Sequence, residues 1–231
     1  MTSLAMRQVV LASARELGRD SRSVLIMLLT FGLLGGGVLV ADLLTGVSTV
    51  SVTAPLVLTV GLCTIAFTGT SVSLARQRQD GVLRVLATTP LTRAGFLACQ
   101  VPPRLALMLV EIGVVLWVVS PHDVVAGLGF VVTAIVGSAM LVALALLLAS
   151  RSRNAVSMSV LAGTIPAALA LFSGGSPLAA LLPTTVRFVL DLVPLSWLSR
   201  GLTTADPLAV VAMAATAGIC FWLAVVRFRW E

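Results

Sequence analysis

Residues 54–84 read APLVLTVGLCTIAFTGTSVSLARQRQDGVLR. The stretch 54–74 is apolar or small throughout, and three arginines, Arg76, Arg78 and Arg84, follow at once. A hydrocarbon core of about 30 Å takes about 20 helical residues, so 54–74 is long enough to cross one. The same alternation repeats along the chain, with apolar runs at 24–44, 95–119, 124–149, 155–172 and 208–226. Arginine gathers in alternate gaps. Arg7, Arg15, Arg19 and Arg22 precede the first run, and Arg93 joins the second loop. Arg151 and Arg153 fill the fourth loop, and Arg227 and Arg229 close the chain. Only Arg187 and Arg200 fall in the opposite loops, and Arg104 lies inside the third run, which leaves 12 of 15 basic residues on one side. Basic loops stay in the cytoplasm, so both termini are expected there. The reading is an all-α integral membrane protein with six transmembrane helices, in a bacterial cytoplasmic membrane.

Composition supports this independently. The chain is 58% hydrophobic and 10% charged, with a mean hydropathy of +1.10, outside the range of soluble domains. Its net charge of +6 is therefore expected at membrane edges beside anionic lipid, and not at nucleic acid. All 15 basic residues are Arg; Arg holds its charge at any depth, and codon bias produces the same usage. Cys63, Cys99 and Cys220 have no short spacing and His122 stands alone, so the cysteines read as small buried hydrophobes and no metal site is expected. Arg19, Asp20 and Arg22 separate the start from the first run, so that run reads as the insertion signal, without a cleavable leader.

Between the runs, residues 3–20 form an amphipathic pattern. Met6, Val10, Ala14 and Leu17 lie opposite Gln8, Arg15 and Arg19. A helix in the headgroup layer fits segment 1–22; a solvated basic lead-in fits it too. In the second loop, 75–95, a polar stretch ends at Asp80-Gly81. A short helix is then expected with Val82, Leu83 and Leu86 on one side. Thr89-Pro90 should stop it, and Thr92 should cap the helix that follows. A short helix held between two spans acts as a lever, since a push on it moves both spans; an idle surface helix is the alternative.

In the third run, Pro102-Pro103 should start or kink the helix. Arg104 and Glu111 share one face, seven residues apart. Charges at such depth usually face a bundle interior or a partner. Glu111 is a candidate for substrate contact or gating, or else a packing contact, and Arg104 is expected to snorkel towards the headgroups. Segment 173–207 is too apolar for a free loop and too broken for a span. Two re-entrant helices around Pro183, Phe188 and Pro194 would fit, capping an exit or simply packing. No phosphate-binding Gly-rich loop, nucleophile elbow or clustered carboxylates occur, so no catalytic site and no bound cofactor are expected.

Three segments carry a family resemblance. Residues 79–93, QDGVLRVLATTPLTR, followed by 96–104, FLACQVPPR, resemble the cytoplasmic coupling region of type-2 ATP-binding-cassette exporter permeases. Residues 182–202, LPTTVRFVLDLVPLSWLSRGL, are similar to the outer re-entrant segment of that family, and 227–231, RFRWE, to its short tail. One departure is that Arg76, Gln77, Arg78 and Gln79 stand where members often carry Glu.

The resemblance implies one transmembrane domain over 1–231, in a dimer with a second permease copy or paralogue. Two ATPase subunits would hold the ATP and Mg. Asp80, Gly81, Val82, Leu83, Leu86, Thr89 and Pro90 would contact them, and an amphipathic drug, antibiotic or lipid-like cargo would leave along the dimer interface. The Gln-Asp-Gly element also resembles haem-exporter permeases of cytochrome c maturation. An ion-coupled carrier, which would favour internal repeats, and a non-transporting scaffold are the readings outside the family.

Overall fold

The computed structural model describes Val10, Arg15, Gly32, Gly36, Val40 and residues 50–88, 92–119, 124–150, 155–171, 183–204 and 206–228. Every regular element among them is helical. α1 (Val50–Ala66) passes through a π-helical turn (Phe67–Val72) into α2 (Ser73–Gln79), and α3 (Val82–Ala87) follows after two residues. Then come α4 (Arg93–Val119), α5 (Val124–Ala149), α6 (Ala155–Leu171), α7 (Thr184–Asp191), α8 (Pro194–Thr204) and α9 (Pro207–Arg227).

Among the described residues, four stretches are long and apolar enough to cross a membrane: Thr53–Gln79, Arg93–Val118, Gly127–Ala149 and Pro207–Arg227. Of the fifth expected run, the described residues form α6, 17 residues long. The first run lies outside the described residues except Gly32, Gly36 and Val40, which are helical. Of the expected interfacial helix, Val10 and Arg15 are described; both are helical, with Arg15 exposed. Thr89 and Pro90 also lie outside.

Buried hydroxyls are accommodated by the helices themselves. Thr59 Oγ1 donates to the Pro55 carbonyl at 2.7 Å, Thr64 Oγ1 to Val60 at 2.8 Å and Ser138 Oγ to Ala134 at 2.7 Å. Each bond reaches back one turn, which satisfies the hydroxyl where no water can. The Thr53–Gln79 span is the centre of the bundle. Its most apolar window is 78% buried, against 22% for Pro207–Arg227, and α4, α5, α6 and α8 pack around it. α9 lies along α5.

Two helix starts are capped by side chains, and the one at Thr92 was expected. Thr92 caps α4, with Gly95 N–H donating to Thr92 Oγ1 at 3.1 Å. Asp206 caps α9 through Leu208 N–H at 2.9 Å, with Pro207 at the first helical position. Of the two outcomes expected for the proline pair, starting the helix is excluded. α4 starts at Arg93, so Pro102-Pro103 lie inside it and do not begin it.

Candidate functional site

The chain reverses between the second and third long helices through a turn built on Gly81. Asp80 N–H donates to Arg76 O at 2.9 Å and Gly81 N–H to Arg78 O at 3.3 Å, closing α2. Gly81 sits at φ +73°, the left-handed region that costs a side-chain-bearing residue energy. Its carbonyl then accepts from Arg84 N–H at 3.0 Å and Val85 N–H at 3.4 Å. One glycine thus ends α2 and begins α3. Thr88 closes α3, its Oγ1 donating to Val85 O at 2.7 Å.

α3 has two unlike sides. Leu83 is 0% exposed and Leu86 is half-buried against the same core cluster, whereas Arg84 is exposed and Val85 is 68% exposed. Val82, expected beside Leu83 and Leu86, stands exposed at the rim. Consecutive helical residues point about 100° apart, and the buried arc of so short a helix takes in Leu83 but stops before Val82. Asp80 is exposed at the end of α2.

What anchors α3 was not foreseen from the sequence. Arg78 Nη1 donates to the Ala149 carbonyl at 3.2 Å, at the last turn of α5. Orphan carbonyls there carry partial negative charge, so a cation is well placed. The same guanidinium lies 5.8 Å from the Phe228 ring centroid, and Phe228 meets Phe96 at 5.7 Å. Phe96, Phe228 and Leu83 are all fully buried in one cluster. The ends of α2, α4, α5 and α9 therefore converge on a rigid plug that carries α3. The only local signal was an aromatic directly after Arg227.

Arg104 corrects a second expectation. It is 2% exposed and does not snorkel. Its Nε and Nη2 donate to the Gly69 carbonyl at 3.2 and 2.9 Å. Its Nη1 donates to the Gln100 carbonyl and to Gln100 Oε1, both at 2.6 Å. Glu111, two turns further along α4, is 6% exposed, and neither carboxylate oxygen has a hydrogen-bond partner among the described residues. Arg104 and Glu111 are both buried, but no hydrogen bond joins them.

At the opposite end, Pro183 precedes α7, Phe188 on α7 is 68% exposed, and half-buried Pro194 begins α8. Asp191 pairs with Arg200 Nη2 at 2.7 Å, and its carbonyl accepts from Ser196 Oγ at 2.8 Å, which folds α7 back on α8. α8 is seated by small residues. Leu198 lies where a side chain on Gly137 would stand, and Thr133 Cγ2 comes within 2.6 Å of one added at Gly201. Pro183, Phe188 and Pro194 thus share one end of the bundle, remote in sequence from α3, while Glu111 belongs to the interior.

No group of three or more potential metal ligands occurs among the described residues, and the three cysteines are buried and form no disulfide there. An apolar cleft of about 100 Å³ lies between α4 and α5, lined by Leu105, Met108, Leu109, Ile112, Ile135 and Ser138. Drug-sized ligands need roughly 300–1,000 Å³, so this cleft does not by itself hold one.

Comparison with known proteins gives one finding. A family model described as ABC-2 type transporter matches residues 7–205, most of the chain. No curated protein matches it.

Proposed function

The chain belongs to the ABC-2 type transporter family, and we propose that it is the permease of an exporter driven through α3. A permease domain of this family is a multi-pass membrane protein without an ATPase site. It typically binds no cofactor itself and works with ABC ATPase subunits. The observation that carries the reading is the two-sided α3, with Val82, Arg84 and Val85 outward on a helix held by Leu83 and the Arg78 plug.

In this reading Asp80, Gly81, Val82, Thr89 and Pro90 form the ATPase contact, and Leu83 and Leu86 pass its force to the core. ATP and Mg stay on the partner subunits. Both termini face the cytoplasm of a bacterium, six helices span its inner membrane, and segment 1–22 lies along the inner surface. The cargo is an amphipathic drug, antibiotic or lipid-like molecule. The cleft within one chain is small and much of α4 and α9 faces outward, which favours a path between this chain and a second copy or paralogue. Pro183, Phe188 and Pro194 then close the exit, and Glu111 gates the path.

Purification of the full chain from native membranes in mild detergent tests this. A stoichiometric subunit with ATPase activity is expected, and Val85→Glu should release it without lowering the melting temperature of the chain. A clean preparation of this chain alone overturns the reading.

A further inference from the structure

The centre of the most buried span is not α-helical. Phe67–Val72 form a π-helical turn between residues in ordinary αR geometry, and all but Thr68 are buried. A π turn closes its bonds one residue later than an α turn, so it stores one surplus residue, and such turns concentrate at functional sites. This one is gripped from two sides. Arg104 of α4 holds the Gly69 carbonyl with two donors, and Ser71 Oγ donates to Ala145 O on α5 at 3.0 Å.

Two buried polar groups nearby lack partners. Thr70 is 1% exposed, and its hydroxyl makes no hydrogen bond among the described residues. In the α-helical stretch just before it, Thr59 and Thr64 each bond to the carbonyl four residues back. The π turn puts the equivalent carbonyl, that of Ala66, out of register for Thr70. The second is the Glu111 carboxylate on α4.

We propose that this turn is a two-position joint, in which the surplus residue moves along the span from Phe67–Val72 into α1, and that Arg104 is its latch. Residues passed by the surplus rotate by about 100° and advance about 1.5 Å, one helical step. Each takes the place of the residue before it in sequence. Thr70 then reaches the Ala66 carbonyl, and Gly69 rejoins the α ladder and leaves Arg104. The unpartnered Thr70 hydroxyl gains a partner in the shifted register.

The direction of travel follows from burial. α2 cannot rotate, because its exposed side carries Arg76 and Gln79 and its end is tied by Arg78 to α5. Residues 57–63 are buried on every side, so turning them exchanges one apolar face for another. Arg104 also holds Gln100 on α4. The latch thus joins the two long helices that α3 connects, which couples the joint to force on α3 under the function proposed above.

The test uses the full chain with its ATPase subunits in lipid vesicles, followed by amide hydrogen exchange with and without ATP and vanadate. Exchange at 67–72 is expected to slow at least about tenfold on trapping as the turn becomes α-helical, with a matching rise within 56–62. Deleting Thr68 removes the surplus residue, so it should preserve folding and abolish the difference between the two states. Thr70→Val should leave the nucleotide-free melting temperature unchanged. It should also disfavour the trapped pattern by about fivefold, the worth of one hydrogen bond of about 1 kcal/mol. Arg104→Lys, which keeps the charge but not the fork, should slow exchange at 67–72 before nucleotide is added, because the released turn spends more of its time α-helical. If the ATPase turns over while exchange at 67–72 is the same in both states, or Thr70→Val lowers the resting melting temperature, the joint is refuted. If no ATPase accompanies the chain, it is the permease reading that fails.

Discussion

Gly81 offers the cleanest perturbation, because the cost of replacing it lies in the backbone alone. Its φ is +73° and nothing lies within 4 Å of an added Cβ. Gly81→Ala therefore meets no steric obstacle and pays only for a left-handed L-residue, about 1–2 kcal/mol. That is about 5–30-fold in the population of chains whose α2–α3 turn has opened. Asn visits this region more readily, so Gly81→Asn should fall between Ala and wild type. Trypsin reads the opening at Arg84, which is exposed but helical and must unwind to enter a protease. When opening and closing are faster than cleavage, the rate follows the open population. Cleavage after Arg84 in the detergent-solubilised full chain should accelerate about 5–30-fold in Gly81→Ala and less in Gly81→Asn. Equal rates for Ala and wild type, or for Ala and Asn, would refute the argument that conformation at this one residue holds α3 in place.

The remaining expectations concern packing and charge. Leu83→Ala empties a fully buried site and should cost about 2–5 kcal/mol, whereas Val85→Ala on the exposed side should stay within about 0.5 kcal/mol; thermal melting in detergent separates them. Gly137→Ala drives a methyl into Leu198 and should destabilise by about 1–3 kcal/mol. Adding Leu198→Ala should cost less than the sum of the two single changes, by about 0.5–3 kcal/mol in a double-mutant cycle. Arg200→Ala breaks an ion pair whose partners are 48% and 31% exposed, so its effect should stay below about 1 kcal/mol and shrink as salt is added.

Much of the architecture was legible because the bilayer simplifies the code. A helix that must satisfy its own backbone in lipid announces itself by length and hydropathy. Accordingly the run 124–149 coincides with α5, and the third and sixth runs fall within two residues of α4 and α9. The local punctuation was legible for an equally local reason. Gly81 and Thr92 act through bonds to neighbours three or four residues away, and sequence spacing encodes these directly. The same rule gave the wrong side for Val82, because a six-residue helix buries whatever its anchor dictates and not what its own pattern suggests.

What hydropathy could not supply was the destination of each polar group. The chain by itself determined that Arg104 and Glu111 share a face of α4, but a spacing names no partner. Only packing brought the Gly69 carbonyl, 35 residues away, to the Arg104 guanidinium and left Glu111 without a bond. Arg78 shows the same division: sequence put it at a membrane edge, and tertiary structure gave it the last carbonyl of α5 and the ring of Phe228. The π turn belongs wholly to the second category. Its six residues, FTGTSV, carry no signal of their own, and a surplus residue is tolerated there because groups on α4 and α5 take up the bonds that the widened turn redirects. Local sequence sets where helices begin, end and lie in apolar surroundings; non-local contacts set which of their few polar atoms meet.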